Sequence, residues 1–153
     1  MPNFYRSVYQ GLRLGLLSAC LTACRSTTKD TPAPVYTVQM RLTCTDGTAL
    51  GPGADISVKH DQQPDQHMIG TVISDNGITT IPVGNFKSTD EMILEVGFIK
   101  VDRTTTLQLR PTSKILGEVL VNGQVKATVI LDNTLTYWTN TYASNTVRVK
   151  VAN

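Results

Sequence analysis

The dipeptide Asn122-Gly123 constrains this chain more than any other feature. It sits between Ile-Leu-Gly-Glu-Val-Leu-Val (115–121) and Gln-Val-Lys-Ala-Thr-Val-Ile-Leu (124–131). Both flanking runs are rich in β-branched and aliphatic residues. Asn-Gly supplies two consecutive positions that tolerate positive φ, which a two-residue type I′ hairpin requires. The same two-residue period recurs upstream. Val38, Met40, Leu42 and Cys44 alternate with Gln39, Arg41, Thr43 and Thr45, a half-buried strand that points Cys44 inward. Asp46-Gly47 ends it. Ile56 and Val58 mark a second strand and residues 68–74 a third. Asp75-Asn76-Gly77 then predicts a hairpin turn into residues 78–83. Met92, Leu94 and Val96 form the next inward face. Residues 104–109, with Leu107 and Leu109 inward, precede Pro111, and Val147, Val149 and Val151 close the chain. After residue 24 there is no 3.6-residue apolar period with caps. Eight or nine short strands with turn chemistry between them predict an all-β domain over 36–153. Its expected architecture is a single two-sheet antiparallel β-sandwich.

The N-terminal segment follows a different rule. Residues 1–13 carry Arg6 and Arg13 and no acid, and residues 14–23 form an apolar run of ten. That length suits the apolar region of a cleaved signal helix and falls short of the about 20 residues of a membrane span. The run ends in Leu21-Thr22-Ala23-Cys24, which resembles a bacterial lipobox, and Leu17-Ser18-Ala19-Cys20 fits the same pattern. The resemblance implies removal of residues 1–23 and attachment of diacylglycerol to Cys24, with Cys20 as the alternative. Cleavage before Cys20 would leave only six apolar residues after Arg13. Two or more acyl chains anchor stably where one is marginal. Arg25 rather than aspartate follows Cys24, which by the sorting rule of enterobacterial lipoproteins implies the outer membrane. Residues 25–34 lack periodicity and large apolar side chains. With Cys24 they read as a flexible linker (24–35), reaching roughly 15–20 Å.

Charge changes on such processing. The chain has 14 Lys+Arg and 12 Asp+Glu, and losing Arg6 and Arg13 brings the basic count to 12. A balanced domain lacks the basic footprint of a nucleic-acid binder. Cys44 would remain as a lone thiol, buried on its strand.

Residues 36–109 resemble the transthyretin-like or carboxypeptidase-regulatory-like sandwich modules of bacterial surfaces. The resemblance rests on a first strand ending in Thr45-Asp46-Gly47, on the step Leu50-Gly51-Pro52-Gly53-Ala54, and on Ser74-Asp75-Asn76-Gly77 before residues 78–83. Ser74 stands where that family favours threonine, and Ile78 where an aromatic often follows the glycine. The resemblance implies a non-catalytic module for spacing, assembly or binding. Small outer-membrane lipoproteins that anchor type VI secretion complexes also use such a sandwich.

Three clusters are candidates for chemistry. His60 and His67 flank Asp61 and Asp65, but without the short regular spacing or helical i, i+4 pairing of zinc ligands. The stretch reads as a polar loop, and no metal or other cofactor is expected. Asp46, Asp75 and Asp132 sit at turns, without the oxygen-rich run of a calcium loop. Tyr137, Trp138 and Tyr142 lie within six residues among Thr, Asn and Ser. Either they form a rigid aromatic platform for a sugar or protein partner, or Trp138 plugs one end of the sandwich. No nucleophile elbow, P-loop or dinucleotide fingerprint occurs. The expectation is a non-enzymatic lipoprotein of the bacterial envelope, tethered to the outer membrane by its lipid. It would act as an assembly, scaffold or adhesion module with an envelope protein partner. Carbohydrate or small-ligand binding, or an accessory role in a secretion system, are the alternatives.

Overall fold

Period-two patterning gives a strand one apolar face, and two sheets of such faces stack to close a core. The computed structural model describes residues 32–61, 63–74, 76–101, 109–134 and 142–152. It contains eight strands among them: β1 (Val35–Thr45), β2 (Pro52–Lys59), β3 (Gln66–Val72), β4 (Ile78–Lys87), β5 (Glu91–Phe98), β6 (Lys114–Val121), β7 (Gln124–Asp132) and β8 (Ala143–Lys150). The only helical element among the described residues is a 3-10 turn at Thr48–Leu50. The strands form two four-stranded sheets, ordered β4-β1-β6-β7 and β3-β2-β5-β8, with every pairing antiparallel. The protein is an all-β, two-sheet antiparallel sandwich.

The core matches the alternation. Val38, Met40, Leu42 and Cys44 of β1 are fully buried, and Ile115, Val119 and Val121 continue that face on β6. Ile56 and Val58 of β2, and Met92, Leu94, Val96 and Phe98 of β5, form the opposing layer. The two layers meet closely at Gly117. A Cβ there would lie 2.8 Å from Val96 Cγ1 and 3.0 Å from Leu94 Cδ2, so a side chain is excluded by the facing sheet.

Asn122-Gly123 forms the expected hairpin turn, with φ of 50° and 79°. The turn also reaches sideways. Thr37 N–H donates to Asn122 Oδ1 at 3.0 Å, and Asn122 N–H donates to Thr37 O at 2.8 Å, fastening it to β1. Asp46 adopts φ 48° at the end of β1, and its carboxylate accepts from Thr112 and lies 3.5 Å from Arg110 Nη1. Pro82 is confined to β4, an edge strand where a missing N–H is tolerated.

One expectation is overturned. β3 and β4 do not form a hairpin, because β3 pairs with β2 and β4 pairs with β1 in the other sheet. After β3, Ile73 is buried and its N–H donates to Pro52 O at 3.0 Å. Asn76, at φ 55°, then donates its N–H to Cys44 O at 2.9 Å, and Ile78 pairs with Thr43. The left-handed residue carries the chain across the end of the sandwich rather than back along β3. The expected strand at 104–109 lies outside the described residues except for Leu109, which packs against the core.

Candidate functional site

The outward face of the second sheet carries a groove where β2, β3 and β5 lie side by side. Strand register sets two adjacent rows. Val72, Gly53, Gly97 and Ser144 form one, and Gly70, Asp55, Glu95 and Thr146 the next. Three of these eight positions are glycine, so stretches of floor are bare backbone. The resulting hollow has a volume of about 420 Å³ and is bounded by Val72, Ile99, Lys100 and Tyr142. Val72 is 78% exposed and Ile99 59%, so its apolar walls face solvent.

At two of these glycines other side chains occupy the space a Cβ would take. A Cβ at Gly97 would stand 3.0 Å from both Cε2 and the hydroxyl oxygen of Tyr142, so the ring lies against that backbone only because the side chain is absent. A Cβ at Gly70 would come within 2.6 Å of Asp55 Oδ1. Tyr142 donates its hydroxyl to Glu95 Oε1 at 2.5 Å. Burial pushes the phenol up to about 12; the bond to Glu95 adds to this, and a hydrogen bond with Ser144 opposes it. Tyr142 therefore stays a neutral donor through the physiological range. Across the groove, His67 Nε2 lies 3.0 Å from Asp55 Oδ1, with both side chains more than half exposed.

Asp55 and Glu95 sit directly opposite one another on neighbouring strands, and no lysine or arginine forms an ion pair with either among the described residues. They give an apolar hollow a negative floor.

The residues singled out from sequence are distributed unevenly. Tyr142 lines the groove, whereas Tyr137 and Trp138 lie outside the described residues, as do Cys20 and Cys24. His60 and His67 are not brought together, since each faces a different aspartate. His60 Nδ1 lies 2.9 Å from Asp90 Oδ1, and its ring stacks on Phe86 at 6.5 Å. Asp90 is only 3% exposed and also accepts Lys87 N–H at 2.8 Å, so this pair ties down the turn between β4 and β5. A second hollow of about 490 Å³ borders His60, Phe86 and Asp90. Among the described residues, no group of three or more His, Cys, Asp or Glu side chains is placed to hold a metal ion. Asp46 ties the end of β1 to Arg110 and Thr112, and Asp132 makes a local turn contact with Thr134, whose hydroxyl and N–H hold the carboxylate below its ordinary range. Asp75 lies outside the described residues.

Asp55, Glu95 and the glycine floor escaped the reading of the sequence. The available signal was Gly53, Gly70 and Gly97 inside strands, where an interior glycine marks a close approach by another group. No described helix is long and apolar enough to cross a membrane. No protein-family model matches the chain, and neither the search of curated proteins nor that of solved structures returned a match.

Proposed function

We propose that this chain is a non-enzymatic, lipid-anchored module of the bacterial envelope that works through contacts with a protein partner. The tethering rests on the lipobox-like run ending at Cys24 and the polar linker after it. The contact function rests on one observation, the solvent-facing apolar groove between Val72 and Ile99 beside β3, an edge strand among the described residues. Exposed apolar side chains gathered round a hollow with polar groups in its floor suit an interaction surface. His60 and Asp90 are engaged in holding the turn between β4 and β5.

The test has two parts. Intact mass spectrometry of protein from its own envelope should find residues 1–23 removed and the new terminus carrying fatty chains. A photo-crosslinker at Val72 or Ile99 should capture an envelope protein, such as a secretion or pilus component, at near-stoichiometric yield. Recovery of lipid alone would refute the contact role.

A carbohydrate-binding reading is favoured by one specific feature, the pairing of an aromatic ring with two carboxylates in the same groove. A glycan array probed with the full chain and with Tyr142→Ala tests it. Signal lost in the variant supports this reading, and the absence of any signal removes it.

A further inference from the structure

We infer that the groove and the adjacent edge receive an extended segment of a partner protein, which adds as a strand beside β3 and lays a lysine or arginine side chain over Gly70 toward Asp55 and Glu95. This rests on the protein-contact reading above and names the chemistry of the partner.

The edge is the first support. Among the described residues the two sheets have four edge strands, β4, β7, β3 and β8. Natural sheets guard such edges with lysine, proline or bulges. β4 carries Pro82, a register shift next to Gly84 and Lys87. β7 carries Lys126, and β8 carries Arg148 and Lys150. β3, Gln-His-Met-Ile-Gly-Thr-Val, has no lysine, arginine, acid or proline. Its irregularity falls at Met68, leaving residues 69–72 in regular pairing with β2.

The floor is the second support. An added strand continues the row Gly70, Asp55, Glu95. It would lie about 10 Å, two strand spacings, from β2. Gly70 has no side chain of its own, and Asp55 leans into that space, its Oδ1 2.6 Å from where a Cβ would stand with His67 Nε2 beside it at 3.4 Å; a side chain laid over Gly70 therefore meets Asp55 first, and a long one reaches on toward Glu95.

Charge selects which long side chain. Like charges directly opposite one another on neighbouring strands are unfavourable. Lower on the same face, Arg148 lies 3.8 Å from both Asp65 and Glu91. Asp55 has His67 and Glu95 has the neutral Tyr142 hydroxyl, while Lys100 lines the far end of the groove beside Gly51. A cation entering from the edge relieves the opposition between the two carboxylates.

The probe is a labelled heptapeptide of alternating threonine and valine with a central arginine, added to the full chain and followed by fluorescence anisotropy and amide hydrogen exchange. It should bind about tenfold more tightly than the same peptide with a central glutamate. Amide exchange of residues 69–72 should slow. Asp55→Asn and Glu95→Gln should each weaken it about fivefold while the melting temperature stays within about 2 °C. Equal binding of the two peptides, protection confined to another edge, or binding of oligosaccharide but neither peptide would overturn the inference. If the envelope crosslink still captures a protein while the arginine peptide fails, the contact role stands and only this assignment falls.

Discussion

Gly117→Ala tests the closeness of the two sheets directly. Gly117 sits on β6 facing inward, and a methyl group there would meet Val96 Cγ1 at 2.8 Å, Leu94 Cδ2 at 3.0 Å and Val129 Cγ1 at 3.0 Å. Carbon–carbon contacts settle at about 3.5–4.0 Å, so the facing layer must retreat by about 0.5–1 Å. Val96 and Leu94 are fully buried and Val129 nearly so, which leaves them little room to turn. Overpacking of this kind costs about 1–3 kcal/mol. Removing the freedom of glycine from the unfolded chain returns about 0.5–1 kcal/mol. Taken at their midpoints these leave a net loss of about 1 kcal/mol, a fall in Tm of roughly 3–6 °C for a domain of this size. Urea and thermal unfolding of the parent and variant measure it. Val129→Ala, added to Gly117→Ala, should cost less than the two single changes summed, by about 0.5–1 kcal/mol. Gly123→Ala serves as the control, because nothing lies within 4 Å of its Cβ and its φ is 79°, so its cost is conformational and should not couple to Val129. A Gly117→Ala protein that melts at or above the parent would show that the sheets do not meet as closely as this reasoning requires.

Three further outcomes follow from the same structure. Asn122→Ala should lose about 1.5–3 kcal/mol, from left-handed strain and the lost Thr37 hydrogen bond, whereas Asn122→Gly should lose only about 0.5–1 kcal/mol; chemical denaturation separates them. Asp90→Ala should destabilise by about 2–3 kcal/mol, since it strips a nearly buried acceptor from Lys87 N–H and His60, and amide exchange at Lys87 should rise in proportion. Tyr142 should ionise near pH 12 in an ultraviolet difference titration. Its folded value is raised above the unfolded 10, so its contribution to stability is complete below pH 10 and is lost as pH rises from 10 to about 12. Tyr142→Phe should flatten the stability curve in that window.

The strand content, the buried face of β1 and the Asn122-Gly123 hairpin were legible in the sequence because each depends on near neighbours: a two-residue period, or a turn whose φ values few residues adopt. The partner of each strand was not. Residues 68–72 and 78–83 alternate in the same way whether they pair with one another or in different sheets. Tertiary contacts decided between these, through Ile73 held by Pro52 and Asn76 held by Cys44. The groove has the same origin. Gly53, Gly70 and Gly97 are separated along the chain and acquire meaning only where register lays them in adjacent rows under Tyr142. Asp55 and Glu95 are 40 residues apart in sequence and face each other only because β2 and β5 run antiparallel at that register. Local chemistry thus fixed which residues form strands and which turn. Long-range pairing, which one-dimensional periodicity does not encode, decided which side chains share a surface.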